Sequence, residues 1–311
     1  MKKFLLKVLL PTIIIVLTLF VGLEIYIRSL PNDFKEKNQY LESNAKRLKI
    51  MVLGDSGASM DIMPGCFDLQ PAYNFAYHAQ NIDYSYWILS KRFEVLDSLG
   101  YVIINYGYGT LWGFDKHPLS QGRKKFYKIY WGYPIETFSL EMFSSPMEIL
   151  HRIWPNNAQQ AMHTIDLYGY QGDYYKDIPF DEEMWLTSTE ATIESWYEKI
   201  NDESKYNENV RTLRGIIEKC RGKGVCVILV ITPTLKMFYE NMNPAPMEKM
   251  LALSDSLRKD YDNVILLDYF KSDSLFPSNE MWYNSTHLNK KGAKKFSLLL
   301  NDTIMKMKYS R

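Results

Sequence analysis

Apolar residues run almost unbroken from Val8 to Leu23, and Ile25, Tyr26 and Ile27 extend the run. That reaches about the 20 residues a helix needs to cross a bilayer. Beyond it the pattern changes to short apolar runs of strand length alternating with longer stretches of helical spacing. Residues 48–53, 101–104, 225–231 and 264–267 read as strands, and 71–75 as a weaker one. Residues 83–98 carry Tyr86, Ile88, Leu89, Phe93 and Leu96 on one helical stripe, closed by Gly100. Further helices are predicted over 207–221, ended by Gly222 and Gly224, over 247–258 and over 289–307. Continuous apolar strands separated by helices predict a parallel sheet covered on both faces, an α/β protein of three α/β/α layers.

Two stretches stand outside this alternation. Residues 29–47 are polar with mixed charge and predict a stalk, or a short helix with a solvated face, carrying the domain 48–311 away from the apolar segment 1–28. Residues 112–197 are rich in Tyr, Trp, Phe, Met and Pro, as in the run from Phe126 to Tyr133. They predict an insertion that caps the carboxyl ends of the strands. Its aromatic rings either pack a small core of their own or offer faces that stack on sugar rings.

Charge and composition narrow the class. Lys2, Lys3 and Lys7 precede the apolar run, which places the N-terminus in the cytoplasm and the rest of the chain outside it. Gly22-Leu23-Glu24 makes a poor cleavage site, so an uncleaved signal anchor is expected, with a lipid bilayer as partner. A formal net charge of +1 over 311 residues gives no electrostatic reason to expect nucleic acid. Cys66, Cys220 and Cys226 have no metal-type spacing, and neither do His78, His117, His151 and His163, so no metal or cofactor is assigned. Cys220 and Cys226 either pair in an oxidising compartment or serve as small apolar residues.

Candidate chemistry begins where the first strand ends. The run from Ile50 to Leu53 breaks into Gly54-Asp55-Ser56-Gly57-Ala58-Ser59. A buried strand ending in small and polar residues is how an open α/β sheet presents a site. Ser56 there is a nucleophile if a base reaches it. His287, within Trp282-Tyr283-Asn284-Ser285-Thr286-His287-Leu288-Asn289, is the candidate base.

Together these two blocks, in this order, resemble the SGNH/GDSL hydrolase superfamily, and the HLN-x-x-GA flank resembles its membrane-anchored bacterial branch. The resemblance implies a flavodoxin-like sheet, Ser56 as nucleophile and His287 as base, with Asn284 where the family carries an aspartate. It implies backbone oxyanion donors at Ser56 or Gly57, at Ala79, which stands where the family has a glycine, and at Gly109. Gly109 stands where the family has an asparagine, so that side-chain donor is missing unless Gln80, Asn81 or the cap replaces it. Losing one such donor costs ~3 kcal/mol of transition-state stabilisation. An asparagine at 284 orients the imidazole but supplies no charge.

The function this resemblance implies is that of an extracytoplasmic serine esterase or O-acyltransferase. Its expected substrate is an acylated cell-surface glycan or small ester, with a membrane acyl-donor protein as a further partner. The alternative is a catalytically weakened protein of the same fold that binds glycan or scaffolds an envelope assembly.

Overall fold

The computed structural model of the chain describes residues 4–135, 143, 164–174 and 179–309. Five strands, β1 (Ile50–Leu53), β2 (Ala72–Asn74), β3 (Tyr101–Asn105), β4 (Cys226–Ile231) and β5 (Val264–Asp268), form one sheet in the order β2-β1-β3-β4-β5. Every pairing is parallel, with Val52 opposite both Asn74 and Ile103, and Ile103 opposite Ile228. A short antiparallel hairpin, β6 (Trp282–Asn284) and β7 (His287–Leu288), stands apart.

The helices are α1 (Leu10–Ser29), α2 (Asp33–Asn44), α3 (Ser56–Asp61), α4 (Ile82–Lys91), α5 (Tyr108–Trp112), α6 (Pro118–Trp131), α7 (Glu182–Ile200), α8 (Glu203–Arg221), α9 (Lys236–Tyr239), α10 (Ala245–Asp260) and α11 (Lys290–Tyr309). The strand period of two sorts the core into two layers. Ile50, Val52, Ile103, Ile228 and Val230 face α3 and α11, where Ala58, Phe296 and Leu300 meet them. Met51, Leu53, Val102, Val227 and Leu229 face the other way, onto Leu41, Ile88, Leu213, Ile216 and Met250 of α2, α4, α8 and α10. Both sheet faces are therefore covered, as the unbroken apolar strands require. Each fully buried Leu, Ile or Val contributes roughly 1.5–3 kcal/mol. Cys66, Cys220 and Cys226 are free thiols, and burial pushes the Cys220 thiol up to about 12.

The segment 29–47 departs from the solvated stalk expected of it. α2, capped by the Asn32 side chain on the Lys35 N–H, buries Phe34 and Leu41 in the main core. Their seven-residue spacing is two helical turns, a stripe that the charged residues between them obscure. Lys37 is buried with them. Its Nζ donates to the Ala76 carbonyl at 2.5 Å and lies 4.4 Å from the Tyr77 ring centre. Burial outweighs the pull of nearby Asp33 and lowers its pKa to about 7. Asp33 in turn accepts from the Thr164 N–H, the Thr164 hydroxyl and the Gln171 amide, which ties residues 164–174 to the same helix.

The aromatic run in α6 packs inward. Tyr127 stacks on Tyr84 with ring centres 3.8 Å apart, Phe34 stacks on Tyr77 at 4.2 Å, and the Trp131 indole donates to the Tyr77 hydroxyl. These rings build a lateral aromatic core between α2, α4 and α6 rather than sugar-stacking faces. α7, at the end of the predicted insertion, sets Thr192, Ser195 and Trp196 on the same cleft as the turns that follow β1 and β3. Residues 136–142, 144–163 and 175–178 of the insertion, His151 and His163 among them, lie outside the described residues.

Among the described residues one helix is long and apolar enough to span a bilayer, Lys7–Ser29. Its Ile13, Ile15, Leu17 and Leu19 side chains are exposed.

Candidate active site

The sheet order makes β1 the strand from which the chain leaves to β2 on one side and returns as β3 on the other. The crevice above such a switch point is where open α/β sheets bind ligands. The Gly54-Asp55-Ser56 turn occupies it. Gly54 has φ +129°, and a Cβ there would stand 2.9 Å from that of Asn105, so only glycine turns the chain this sharply against β3. Asp55 then caps α3, its Oδ1 accepting from the Gly57 N–H at 3.1 Å and from the Asn105 amide at 2.6 Å. Burial raises the Asp55 pKa, while those two bonds and the nearby His287 pull it back. Ser56 follows as the first residue of α3, half-buried, on the wall of a cleft of about 360 Å³.

His287 reaches the same cleft from the β6–β7 hairpin, whose second strand packs against α3. The order of the last block serves that placement. Asn284 Oδ1 accepts from the Thr286 and His287 backbone N–H groups, both at 2.9 Å, and closes a tight turn. Asn289 caps α11 through the Lys291 N–H, and a Cβ at Gly292 would overlap the Met281 carbonyl. The HLN-x-x-GA flank is thus a helix start pressed against the chain before the hairpin.

Asn284 therefore commits its carbonyl to the backbone of its own turn, and the sequence expectation that it orients the imidazole is corrected on that ground. The group facing the ring is Asp61, at the far end of the helix that begins with Ser56. Asp61 is fully buried, its Oδ1 accepts from the Leu288 N–H at 2.9 Å, and its Oδ2 lies 3.7 Å from His287 Nδ1. Neither Oδ2 nor Nδ1 has a hydrogen-bond partner among the described residues. Burial pushes the Asp61 carboxyl up to about 6, against the opposing pull of His287 and the Leu288 N–H.

The expected oxyanion positions fare unevenly. Gly57 donates its N–H to Asp55 and so is not the open donor anticipated. The Ser56 and Ala79 N–H groups find no acceptor among the described residues, and both residues line the cleft. Ala79 holds φ 53°, a left-handed conformation that glycine adopts without strain, which is the physical content of the glycine the family resemblance puts there. Its loop is fixed from three sides, by Asn74 on the Ala76 N–H, by Lys37 on the Ala76 carbonyl and by Arg123 on the His78 carbonyl.

Gly109 lines the cleft but no side chain fits there. A Cβ would overlap both the Phe114 ring and Asp55 Oδ2. Neither substitute donor is among the residues lining the cleft. Asn81 bonds Asp115 and the Phe114 N–H, and Gln80 bonds Ser85 and Tyr127.

The remaining walls are mostly apolar, with Tyr106 and Tyr108 after β3, Trp196 of α7, Phe238 of α9, Met250 of α10 and Phe270 after β5. His78 and His117 also line the cleft, which nothing in their sequence context signals. His117 caps α6 through its Nδ1 on the Leu119 N–H. Burial, with Arg123 next in effect, pushes the His78 imidazole well below its usual range, so it is neutral at physiological pH. Among the described residues no group of three or more His, Cys, Asp or Glu side chains is arranged to hold a metal.

The fold and site together define a doubly wound α/β protein with a serine, a histidine and a buried carboxylate at its switch point. No protein-family model and no curated protein matches the chain. Among solved structures it is similar to a candidate platelet activating factor from Streptococcus pneumonia, with TM-score 0.42, 10% identity and coverage of 94% of this chain and 98% of that one. It is also similar to a candidate acylhydrolase from Bacteroides fragilis, with TM-score 0.41, 12% identity and coverage of 89% and 99%.

Proposed function

We propose that the protein is a membrane-anchored serine esterase or O-acyltransferase of SGNH type whose domain works outside the cytoplasm. The observation that supports this reading is that Ser56 and His287 line one cleft beside two backbone N–H groups without an acceptor among the described residues. Ser56 Oγ attacks the ester carbonyl carbon while its proton passes to His287 Nε2. The carbonyl oxygen, now anionic, is received by the Ser56 and Ala79 N–H groups. Collapse breaks the ester C–O bond, and His287 returns the proton to the departing alcohol. Water, or a sugar hydroxyl, then attacks the acyl-serine and loses its proton to His287, which passes it back to Ser56 Oγ.

The apolar wall of the cleft suits the acyl part of such a substrate. Acylated surface glycan is the substrate class that the anchor and the SGNH resemblance favour. The purified full-length chain in detergent is expected to release nitrophenol from a p-nitrophenyl ester with an initial burst equal to the enzyme concentration. A burst followed by slow turnover that added glycan accelerates marks a transferase. A folded chain with neither burst nor turnover favours the alternative, a glycan-binding or scaffolding protein of the same fold.

The anchoring carries its own test. A periplasm-dependent reporter fused after Arg311 is expected to be active, with the full-length chain recovered in the membrane fraction. Activity of a cytoplasm-dependent reporter at that position contradicts the topology.

A further inference from the structure

We propose that Asp61 is the positioning acid of this site, doing from the Nδ1 side of His287 what Asn284 cannot; the proposal rests on the serine–histidine reading above. Three observations converge on it. Asn284 has its carbonyl committed to the backbone of the 284–287 turn, and an amide carries no charge in any case. Asp61 Oδ2 and His287 Nδ1 lie 3.7 Å apart, both buried and both without another hydrogen-bond partner among the described residues. Two polar atoms left unpaired in an apolar interior are unfavourable, so a small turn of the ring that pairs them is favoured. Catalytic hydrogen bonds are often long before substrate binds and shorten in the complex.

The third observation is how Asp61 is held. Its Oδ1 accepts from the Leu288 N–H, the residue after the histidine. One carboxylate thus fixes the hairpin that carries the base and faces its ring, from the same short helix that starts with the nucleophile. When the Ser56 proton arrives at Nε2, the imidazole becomes cationic with the Asp61 carboxylate beside it. No proton needs to move to Asp61; its charge stabilises the imidazolium and selects the Nδ1–H tautomer.

The other titratable groups facing this pair are Asp55 from the nucleophile turn, His78 from the loop after β2, and Tyr170 from residues 164–174. Asp55 is tied to Gly57 and Asn105. His78 and Tyr170 stay neutral through the working range, since burial lowers the first and raises the second. Asp61 is left as the carboxylate free to answer the ring. Because its carboxyl is pushed up to about 6, it loses its charge as pH falls through that value, and turnover is expected to fall with it.

Asp61→Asn separates this role from a structural one. It keeps an acceptor for the Leu288 N–H, removes the charge and sets an amide N–H donor against Nδ1, which selects the wrong imidazole tautomer. In the full-length chain the substitution is expected to lower kcat on an aryl ester by roughly three to four orders of magnitude, with KM little changed. It is also expected to slow fluorophosphonate labelling at Ser56 in proportion, and to shift the acid limb of the pH–rate profile, which the wild-type pair sets jointly. Asn284→Asp, added to Asp61→Asn, is not expected to restore activity, because the side chain at 284 answers its own turn. A wild-type chain that labels while Asp61→Asn labels equally fast overturns the inference and leaves the function reading standing. Rescue by Asn284→Asp overturns it as well. A wild-type chain that never labels removes the function reading and this inference together.

Discussion

Ser56→Ala is expected to lower ester turnover by roughly five to six orders of magnitude, leaving the residual rate that the oxyanion donors and substrate binding supply. On the proposed reading its hydroxyl forms the acyl intermediate. His287→Ala is expected to cost nearly as much, and the double variant no more than either alone, since the two act on one bond-making step. The Ser56 hydroxyl makes no hydrogen bond within the described residues, so its loss should leave the thermal melt of the chain unchanged. Steady-state rates with a p-nitrophenyl ester, set beside melting curves of the same preparations, check this. A Ser56→Ala variant that keeps even a tenth of wild-type turnover contradicts the assignment.

Asp61→Asn is expected to make the protein more stable at neutral pH while it loses activity. The folded-state pKa of Asp61, about 6, lies above the ordinary value of 3.8 because burial disfavours the charge. A group raised in this way favours the folded state fully below 3.8, and that advantage is lost as pH rises through 6. Above pH 6 the wild type therefore carries an ionised buried carboxylate at a cost of about 3 kcal/mol, the free energy that separates a pKa of about 6 from one of 3.8. The amide side chain escapes that cost and keeps the Leu288 bond. Melting curves at pH 7.5 should place the variant several degrees above wild type, and the gap should close as pH falls toward 4. An Asp61→Asn chain that melts below wild type at pH 7.5 contradicts the placement of the charge. Such an opposition of stability and activity is what a strained functional site predicts.

The sheet is legible in the sequence because its strands are short, mostly apolar and cut by glycine and polar residues. Ile50–Leu53, Cys226–Ile231 and Val264–Asp268 need no tertiary information to be seen. Ser56 and His287 are legible through their blocks. Asp61 is not, since one aspartate at the end of a six-residue helix carries no local sign that a histidine packs on it. Asn284 misleads for the opposite reason. It fills the position of a charged residue, while the Ser and Thr that follow it mark a turn-former. The segment 29–47 hides its inward face because charged residues crowd the sequence between the apolar ones. Phe34 and Leu41 mark that stripe, and even Lys37 lies inside it. In the aromatic run of α6 the packing of rings on one another depends on partners in α2 and α4 that are distant in sequence.

The central claim, that Ser56 is an activated nucleophile, is tested most directly by the mass of the peptide that carries a fluorophosphonate adduct. The reagent needs a deprotonating base and leaves a tetrahedral group in the oxyanion position, so it reports both at once. The full-length chain is expected to gain one phosphonyl group, on Ser56, and none after Ser56→Ala. Ser59 lies in the same helix, fully buried, with its hydroxyl turned to the Ser56 carbonyl. An adduct on Ser59, or a folded chain with no adduct at all, contradicts the account.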